Sequence, residues 1–325
     1  MSFPKVLLIG TVVLFTCIGT AAIWKGFKKK SVQVEVSSVP PQVIQKAEKI
    51  KIVGKSKKTL EATPMVDQIA KLFVTDTTKL PIVETVTYTS RVPWLKGRPA
   101  WIADYASYYE TSRHFIARSL NQKKDYFTQK VSPGDRFNVL KKGVQFYFLI
   151  ELSTCKMWFY AIEPEQKEKI LLKTYCVGLG RKDPSKPSGY LTPTGVFVLG
   201  NKVAIYKPGV MGFFQDRKIE MIRVFGTRWT PFNDGTDGVS KGYGIHGVPF
   251  ENDPKTGQLV ERKETLGKYE SDGCIRLSSE DMEEIFAIVI SKPTIVELVK
   301  NLQDANMRDS KKISSEKGLY KKTFE

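Results

Sequence analysis

Histidine and cysteine are scarce in this chain, and their spacing argues against whole classes of functional site. The sequence has two histidines, His114 and His246, and four cysteines, with no Cys-x-x-Cys pair among them. A structural or catalytic zinc site needs several such ligands at short spacing, so we expect no metal. The isolated pair Gly178 and Gly180 is too weak a signal for a nucleotide-binding loop, so we expect no cofactor either.

Negative charge is also in short supply. Lys and Arg together number 51 against 34 Asp and Glu, which gives a formal net charge of +17. The lysines are spread along the whole chain and no nucleic-acid-binding motif concentrates them, so we expect no nucleic acid partner. A membrane surface or an acidic cell-wall polymer fits this charge. With 41% hydrophobic residues the chain can still bury an ordinary core.

A long uncharged stretch lies near the N-terminus. Residues 6–24 carry no charge and are bounded by Lys5 and Lys25. As a helix this stretch would reach roughly 28 Å, close to the thickness of the hydrocarbon core of a bilayer. It predicts a signal anchor over residues 1–30, because the run of a cleaved signal peptide is usually shorter. The lysines that follow it would, by the positive-inside rule, place the rest of the chain in the cytoplasm.

The residues after the anchor have the composition of a tether. Residues 31–86 are rich in Val, Ser, Pro, Lys and Thr, and Pro40-Pro41 is a linker signal. Within them, Met65 to Phe73 has apolar spacing for two helical turns. Residues 301–325, at the other end of the chain, are predicted to be a loose charged tail.

Residues 145–300 have the pattern of short strands. Gln145 to Ala161 has apolar residues at period two, and Lys169 to Gly178 is its expected hairpin partner. Val196 to Ile205 predicts a further strand. Asp281 to Ile290 has helical spacing, with Ser278 or Ser279 as its N-cap.

Two cysteines in this region lie on the two strands of the predicted hairpin. Cys155 and Cys176 either form a disulfide in an oxidising compartment or are two buried free thiols. The spacing of these residues leaves both alternatives open.

The segment Ser271-Asp272-Gly273-Cys274-Ile275-Arg276-Leu277, preceded by Gly244-Ile245-His246-Gly247, has the composition of a nucleophilic site. A nearby imidazole and guanidinium favour the thiolate, which is the reactive form of cysteine. Cys274 is therefore the candidate nucleophile, and His246 is its candidate general base. Gly273 allows a sharp turn that can aim amide groups at an oxyanion.

These two segments resemble the signature of the YkuD-type L,D-transpeptidases. Thr192-Pro193-Thr194-Gly195-Val196-Phe197 is similar to a turn of that family, and Val296-Glu297-Leu298-Val299 to its closing strand. The resemblance covers residues 145–300. It implies a mainly β fold with one helix, a mixed sandwich or barrel, and no metal or cofactor. It also implies peptidoglycan stem peptides as substrates and carbapenems as mimics of the acyl donor.

The resemblance assigns further residues to the site. Ser271 and Gly273 are expected to shape an oxyanion hole through backbone and hydroxyl groups, and Arg276 to hold a substrate carboxylate or to favour the thiolate. A backbone carbonyl, rather than an acid, is expected to orient the imidazole of His246. The remaining candidates for substrate contact are Gly247, Tyr243 and Trp229, although an aromatic residue is a core residue by default.

The chain departs from the family in two places. Asp272 stands where the family usually has a second histidine; it would either bind a substrate ammonium or face solvent. Residues 251–270 are an insertion with a turn signal at Asp253-Pro254-Lys255-Thr256-Gly257, which predicts a surface hairpin or flap.

Residues 87–142 form a separate pattern. Two amphipathic helices over Trp101 to Leu120, between two strands, resemble a divergent LysM module, a type that binds the glycan of peptidoglycan. The alternative is a small helical domain packed against the enzyme.

Together these patterns predict a peptidoglycan L,D-transpeptidase anchored by a single span in a bacterial inner membrane, with its catalytic domain in the periplasm. That orientation is the opposite of the one the flanking lysines favour. An L,D-carboxypeptidase and a non-catalytic peptidoglycan-binding protein are the alternatives. The oligomeric state is not predicted.

Overall fold

A computed structural model describes residues 66–121, 130–165, 167–233 and 240–306. The predicted anchor, the linker up to residue 65 and the tail beyond residue 306 lie outside these residues. None of the helices in the described ranges is long and apolar enough to cross a bilayer.

The described regular elements, in chain order, are mostly short strands. The strands are β1 (Val83–Thr87), β2 (Arg136–Leu140), β3 (Gln145–Glu151), β4 (Lys156–Ile162), β5 (Lys169–Cys176), β6 (Leu179–Gly180), β7 (Gly195–Val198), β8 (Ala204–Ile205), β9 (Met211–Phe214), β10 (Arg217–Glu220), β11 (Arg228–Pro231), β12 (Gly244–Gly247), β13 (Phe250–Asn252), β14 (Leu259–Glu261), β15 (Tyr269–Ser271), β16 (Ile275–Leu277) and β17 (Thr294–Val299). The α-helices are α1 (Ile102–Tyr108), α2 (Arg113–Asn121), α3 (Ile222–Phe225) and α4 (Ser279–Val289).

A five-stranded sheet in the order β5-β4-β3-β17-β7 forms one side of the core. β3 and β17 run parallel at its centre and the other pairs are antiparallel. Both faces of β3 are buried, with Phe146 and Phe148 on one and Tyr147 and Leu149 on the other. The predicted strand Gln145 to Ala161 is divided by a turn at residues 152–155 into β3 and β4.

A second sheet, β16-β12-β11-β8, packs on the same core. Ile245, Ile275 and Leu277 of this sheet belong to one buried cluster with Phe146 and Phe148 of the first. The predicted strand Val196 to Ile205 is split between the two sheets, as β7 and β8. The expected mainly β fold class is confirmed.

The predicted helix near the C-terminus is confirmed as α4. The Ser278 side chain accepts a hydrogen bond from the Asp281 N–H, as expected of an N-cap. On another side of the helix, Lys173 of β5 lies 3.0 Å from Asp281 and 2.9 Å from Glu284. A short helix, α3, also forms in this region; its four residues are too few to show a helical period in the sequence.

Residues 83–140 form the predicted order of strand, helix, helix and strand. β1 pairs antiparallel with β2, and α1 and α2 lie between them in sequence. Tyr105, Ile116 and Phe137 are buried in a small core of this module. The Ser112 hydroxyl donates to the Ala287 carbonyl of α4, so the module packs against that helix. The LysM resemblance itself stays a prediction.

The described part of the predicted linker, residues 66–86, is folded onto the protein. The Gln68 N–H donates to the Leu172 carbonyl of β5 over 2.7 Å, and Leu72 and Ile82 are fully buried. The side-chain amide of the buried Asn138 donates to the Leu72 carbonyl at 2.9 Å. The two predicted helical turns reduce to one 3₁₀ turn, Ile69–Leu72. The expectation of a tether is wrong for residues 66–86, because their apolar side chains pack against residues that are far away in the sequence.

Cys155 and Cys176 are both free thiols. Lys156 is the register partner of Cys176, so Cys176 shares the exposed face of Lys156 while Cys155 turns into the core. Of the two alternatives, the structure shows the unbonded one. Only one of the two thiols is buried.

The hairpin predicted around Asp253 is confirmed, whereas the insertion itself stays a prediction. β13 and β14 pair antiparallel, and the Asp253 carboxylate between them accepts the N–H groups of Lys255 and Thr256, each at 2.8 Å. This local bonding closes the turn that the sequence predicted.

Candidate active site

Parallel pairing of β12 and β16 brings the candidate residues together. His246 is the register partner of Arg276, and Ile245 is the partner of Ile275. Partners in register point to the same face of a sheet, and so do residues two apart along one strand. Cys274, two residues before Arg276, therefore lies diagonally from His246 on that shared face. The isoleucines on the opposite face are buried in the core.

The imidazole of His246 is fixed and buried, with 3% of the residue exposed. Its Nδ1 lies 2.7 Å from the Gly247 carbonyl oxygen, a distance that requires the proton on Nδ1. Nε2 is therefore unprotonated and able to accept a proton. Phe225 lies edge-on to the ring at 5.4 Å, and Trp229 lies at 5.8 Å. The expected orientation by a backbone carbonyl is what the geometry shows.

Burial lowers the pKa of His246 to about 3. The carbonyls of Gly247 and Phe225 oppose this shift, while the positive charge of Arg276 adds to it. The ring is therefore neutral at pH 7, as a general base must be.

Cys274 is a thiol rather than a thiolate in this environment. Burial raises the pKa of its sulfur to about 11, and Asp272 adds to that shift. The Gly244 N–H and Arg276 oppose it but do not outweigh burial. The sulfur lies 3.5 Å from the Gly242 carbonyl oxygen. Arg276 does favour the thiolate, as expected, but burial is the larger effect, and the spacing of residues in the sequence gives no measure of burial.

The turn that presents Cys274 depends on Gly273. Its φ is +123°, and a Cβ there would lie 2.4 Å from a ring carbon of Tyr243 and 2.9 Å from the Leu191 carbonyl oxygen. The Gly273 N–H donates to the Ser271 hydroxyl oxygen at 3.1 Å, and that hydroxyl donates to the Cys274 carbonyl at 2.7 Å. These groups hold the turn together, so they are not the free oxyanion donors that we expected.

Thr192 is a site residue to which the sequence analysis gave no role. It is fully buried, and its hydroxyl donates to the Gly273 carbonyl at 2.9 Å while accepting the Gly180 N–H at 2.8 Å. The hydroxyl thus ties the loop after β5 to the nucleophile turn. The Thr-Pro-Thr-Gly motif could have drawn attention to Thr192. Its hydrogen bond to Gly273, however, follows only from the folded structure, because the two residues are far apart in the sequence.

Arg276 and Asp272 occupy different environments. The Arg276 guanidinium is partly buried, its Nε has no hydrogen-bond partner, and it forms no ion pair within the described ranges. Asp272, by contrast, is exposed and lies 2.6 Å from Arg181. An unpaired buried donor beside the nucleophile is available to a ligand anion.

The remaining candidates line the same face. Trp229 is the register partner of His246, Tyr243 covers Gly273, and Gly247 supplies the carbonyl that orients the imidazole. Gly226 approaches Gly247 so closely that a Cβ would lie 2.6 Å from the Gly247 carbonyl carbon. Phe225 and Gly226 were missed in the sequence, because nothing in their spacing marks them. No cluster of metal-ligating side chains occurs in the described part of the chain.

Comparison with known proteins finds a family model that matches the region of the candidate site. Residues 145–298 match the YkuD family model, described as the L,D-transpeptidase catalytic domain. This region is similar to YkuD-type domains. The match covers a little under half of the chain and includes Cys274 and His246.

A Bacillus subtilis protein, YqjB, which carries a provisional L,D-transpeptidase name, is 29% identical over 116 residues. That alignment covers 35% of this chain and 53% of YqjB, so the chain spans about half the length of this relative.

Two solved structures are also similar. Bd1075 of Bdellovibrio bacteriovorus has a TM-score of 0.32 at 12% identity, covering 48% of each chain. The helical cell shape determining protein Pgp2 of Campylobacter jejuni has a TM-score of 0.32 at 20% identity, covering 49% of each.

Gly273→Ala is expected to distort the nucleophile turn, because the new methyl group meets the Tyr243 ring and the Leu191 carbonyl. We expect the rate of Cys274 acylation by a carbapenem to fall at least about 100-fold, as an error of about 1 Å at a reacting atom does. Gly189→Ala is the matched control, since φ there is +78° and nothing lies within 4 Å of its Cβ position. Equal rates in the two variants would contradict the account.

The reactivity of Cys274 is expected to rise with pH without a plateau below about pH 10. Only the thiolate is alkylated, and the pKa of about 11 leaves roughly one sulfur in 10,000 ionised at pH 7. The measurement is iodoacetamide labelling from pH 6 to pH 10, followed by peptide mass spectrometry to separate Cys274 from Cys176. A plateau near pH 6–7 would show a preformed thiolate and contradict this assignment.

Proposed function

We propose that this protein is a peptidoglycan L,D-transpeptidase in which Cys274 is the nucleophile and His246 the general base. The observation that supports the proposal is the pairing of β12 with β16, which sets His246 opposite Arg276, two residues after Cys274, while the His246 Nδ1–H donates to the Gly247 carbonyl. The similarity to YkuD-type domains supports the reaction class.

The acylation step follows from the two neutral groups. The Cys274 sulfur attacks the amide carbonyl of a diaminopimelate-type residue in a donor stem peptide, and its proton passes to Nε2 of His246. The tetrahedral intermediate then breaks its C–N bond, and the departing D-alanine amine takes that proton. A thioester on Cys274 remains, and the imidazole is neutral again.

The thioester is resolved by an acceptor. An amine from a neighbouring stem peptide gives a cross-link and returns a proton to sulfur, whereas water gives the carboxylic acid of an L,D-carboxypeptidase. Arg276 is suited to hold a donor carboxylate in a bidentate fork, since its Nε is unpaired among the described residues. Peptidoglycan as substrate places the catalytic domain outside the cytoplasmic membrane, anchored by residues 1–30.

Intact-mass spectrometry of the full-length protein in detergent, mixed with a carbapenem, tests the proposal. We expect one adduct per wild-type chain, no adduct in Cys274→Ala, and acylation slowed about 100-fold or more in His246→Ala, the usual size of a general-base effect. Cys176→Ala is the matched control, because it removes an exposed thiol outside the site. No adduct on a folded wild-type protein, or an adduct that persists in Cys274→Ala, would exclude the proposal.

A second function, glycan binding by residues 83–140, is favoured by one surface of this module. Trp101 is 67% exposed and Tyr108 is 54% exposed. The two lie seven residues apart at α1, which puts them on the same side of the helix about 10 Å apart. Trp94 stacks on Tyr108 with ring centroids 4.4 Å apart. Flat, exposed aromatic faces at this spacing suit the apolar faces of successive sugar rings.

Binding of soluble N-acetylglucosamine oligomers to the full-length protein tests this second function. We expect the double variant Trp101→Ala with Tyr108→Ala to weaken binding about tenfold or more, because aromatic anchors carry most of the energy of such contacts. Phe213→Ala is the matched control: it removes an aromatic ring that is 78% exposed on the β9–β10 hairpin. No binding by the wild type, or equal loss in the control, would rule out this surface as a glycan site.

A further inference from the structure

An exposed ion pair lies beside the nucleophile. The Arg181 guanidinium is 2.6 Å from the Asp272 carboxylate, and each side chain is 60% exposed. Asp272 is two residues before Cys274. The Arg181 N–H donates to the Ser271 carbonyl at 3.0 Å, and the Arg181 carbonyl accepts the Leu191 N–H at 2.8 Å. Backbone hydrogen bonds thus hold Arg181 next to the turn that carries Cys274. The backbones of both charged residues are therefore fixed at this turn.

This pair stabilises the fold little. An exposed ion pair contributes about 1 kcal/mol or less, because water solvates both charges when they separate. A ligand that offers each charge a new partner can therefore displace the pair at small cost. Asp272 is two residues before Cys274 in the same turn, so the pair lies next to the residue that carries the sulfur.

We propose that Arg181 and Asp272 bind the acceptor substrate as an amine that carries a carboxylate on the same carbon. The ligand ammonium replaces Arg181 on Asp272, and the ligand carboxylate replaces Asp272 on Arg181. This inference rests on the proposed function, and it assigns the acceptor side of that reaction to two residues outside the Cys274–His246 pair.

The chemistry of the pair selects the acceptor class. A positive and a negative group side by side complement the ammonium and carboxylate of an α-amino acid centre, such as the D-centre of a stem-peptide diaminopimelate or a free D-amino acid. A simple alkylamine has an ammonium for Asp272 but no carboxylate for Arg181, and water has neither group. The pair therefore favours transfer to amino acid amines over hydrolysis.

The transfer step balances without a further reactant. The bound ammonium loses one proton to solvent, to which the pair is exposed, and becomes a neutral amine. Its nitrogen attacks the thioester carbonyl carbon, the C–N bond forms and the C–S bond breaks. The second proton of the nitrogen passes to sulfur, which restores the Cys274 thiol.

The test measures how the acyl-enzyme divides between amine and water. The full-length protein receives a tetrapeptide-stem donor with either D-methionine or its decarboxylated analogue, 3-(methylthio)propylamine, and mass spectrometry quantifies the amide and the hydrolysed product. We expect D-methionine to be preferred about tenfold or more, the effect of one charge-assisted hydrogen bond. Raised salt should reduce the preference, since the pair is exposed.

Three variants separate this role from a structural one. Asp272→Asn and Arg181→Gln should each raise the KM for D-methionine about tenfold and shift the products toward hydrolysis, the effect of removing one charged partner. The readout that distinguishes the two roles is the comparison of the acceptor KM with the rate of carbapenem acylation, because a defect in acceptor binding raises KM more than it slows acylation. Asp183→Asn is the matched control, because that exposed carboxylate in the same loop bonds only Ser185 among the described residues.

Two outcomes would overturn the inference. Equal use of D-methionine and the alkylamine by the wild type, or an unchanged KM in Asp272→Asn, would remove the pair from acceptor binding while leaving the transpeptidase proposal intact. Failure of the wild type to form any acyl-enzyme would instead remove the proposed function, and this inference with it.

Discussion

The parallel pairing of β12 with β16 is the constraint on which the site depends. It fixes His246 opposite Arg276 and places Cys274 on their face, two residues earlier. The same pairing buries Ile245 and Ile275 on the opposite face, so the core holds the register. A slip by one residue would turn the catalytic side chains into the core and the isoleucines into the site. The hydrophobic core thus keeps the candidate site residues in position.

The nucleophile turn is held by a second set of interactions, made almost entirely by hydroxyl groups and glycines. Ser271 bonds within the turn, Thr192 ties the turn to the loop after β5, and Gly273 occupies a backbone conformation with no room for a Cβ. These residues do not need to touch substrate to matter. They hold the Cys274 sulfur in one position before a substrate binds. A preorganised site loses less entropy on reaching the transition state.

Burial gives the catalytic pair its resting protonation states. It raises the pKa of the Cys274 thiol and lowers the pKa of the His246 imidazole, so both groups are neutral at pH 7. In the proposed reaction the thiolate forms only as the sulfur attacks, and the imidazole takes the proton. A sulfur that is mostly protonated is also poorly reactive toward oxidants and stray electrophiles.

Much of this arrangement could be predicted from local sequence, and the rest could not. Neighbouring residues determine three of the predicted features, and these could be predicted from the sequence: the strand pattern after Gln145, the Ser278 cap and the hairpin turn at Asp253. The docking of residues 66–86 through Leu72 and Asn138, the hydroxyl bridge of Thr192 and the protonation of Cys274 depend on residues distant in the chain. Burial decides each of these three, and burial is a property of the folded chain rather than of a segment.

The protonation state of His246 is the most direct measure of the account, and ¹⁵N NMR of the histidine rings reports it. The chain has two histidines, so His114→Gln assigns the signals. The account predicts a neutral His246 ring with its proton on Nδ1, unchanged from pH 7.5 down to about pH 5, because the pKa lies near 3. A doubly protonated ring at pH 7, or a titration midpoint near the ordinary value of about 6.5, would contradict it.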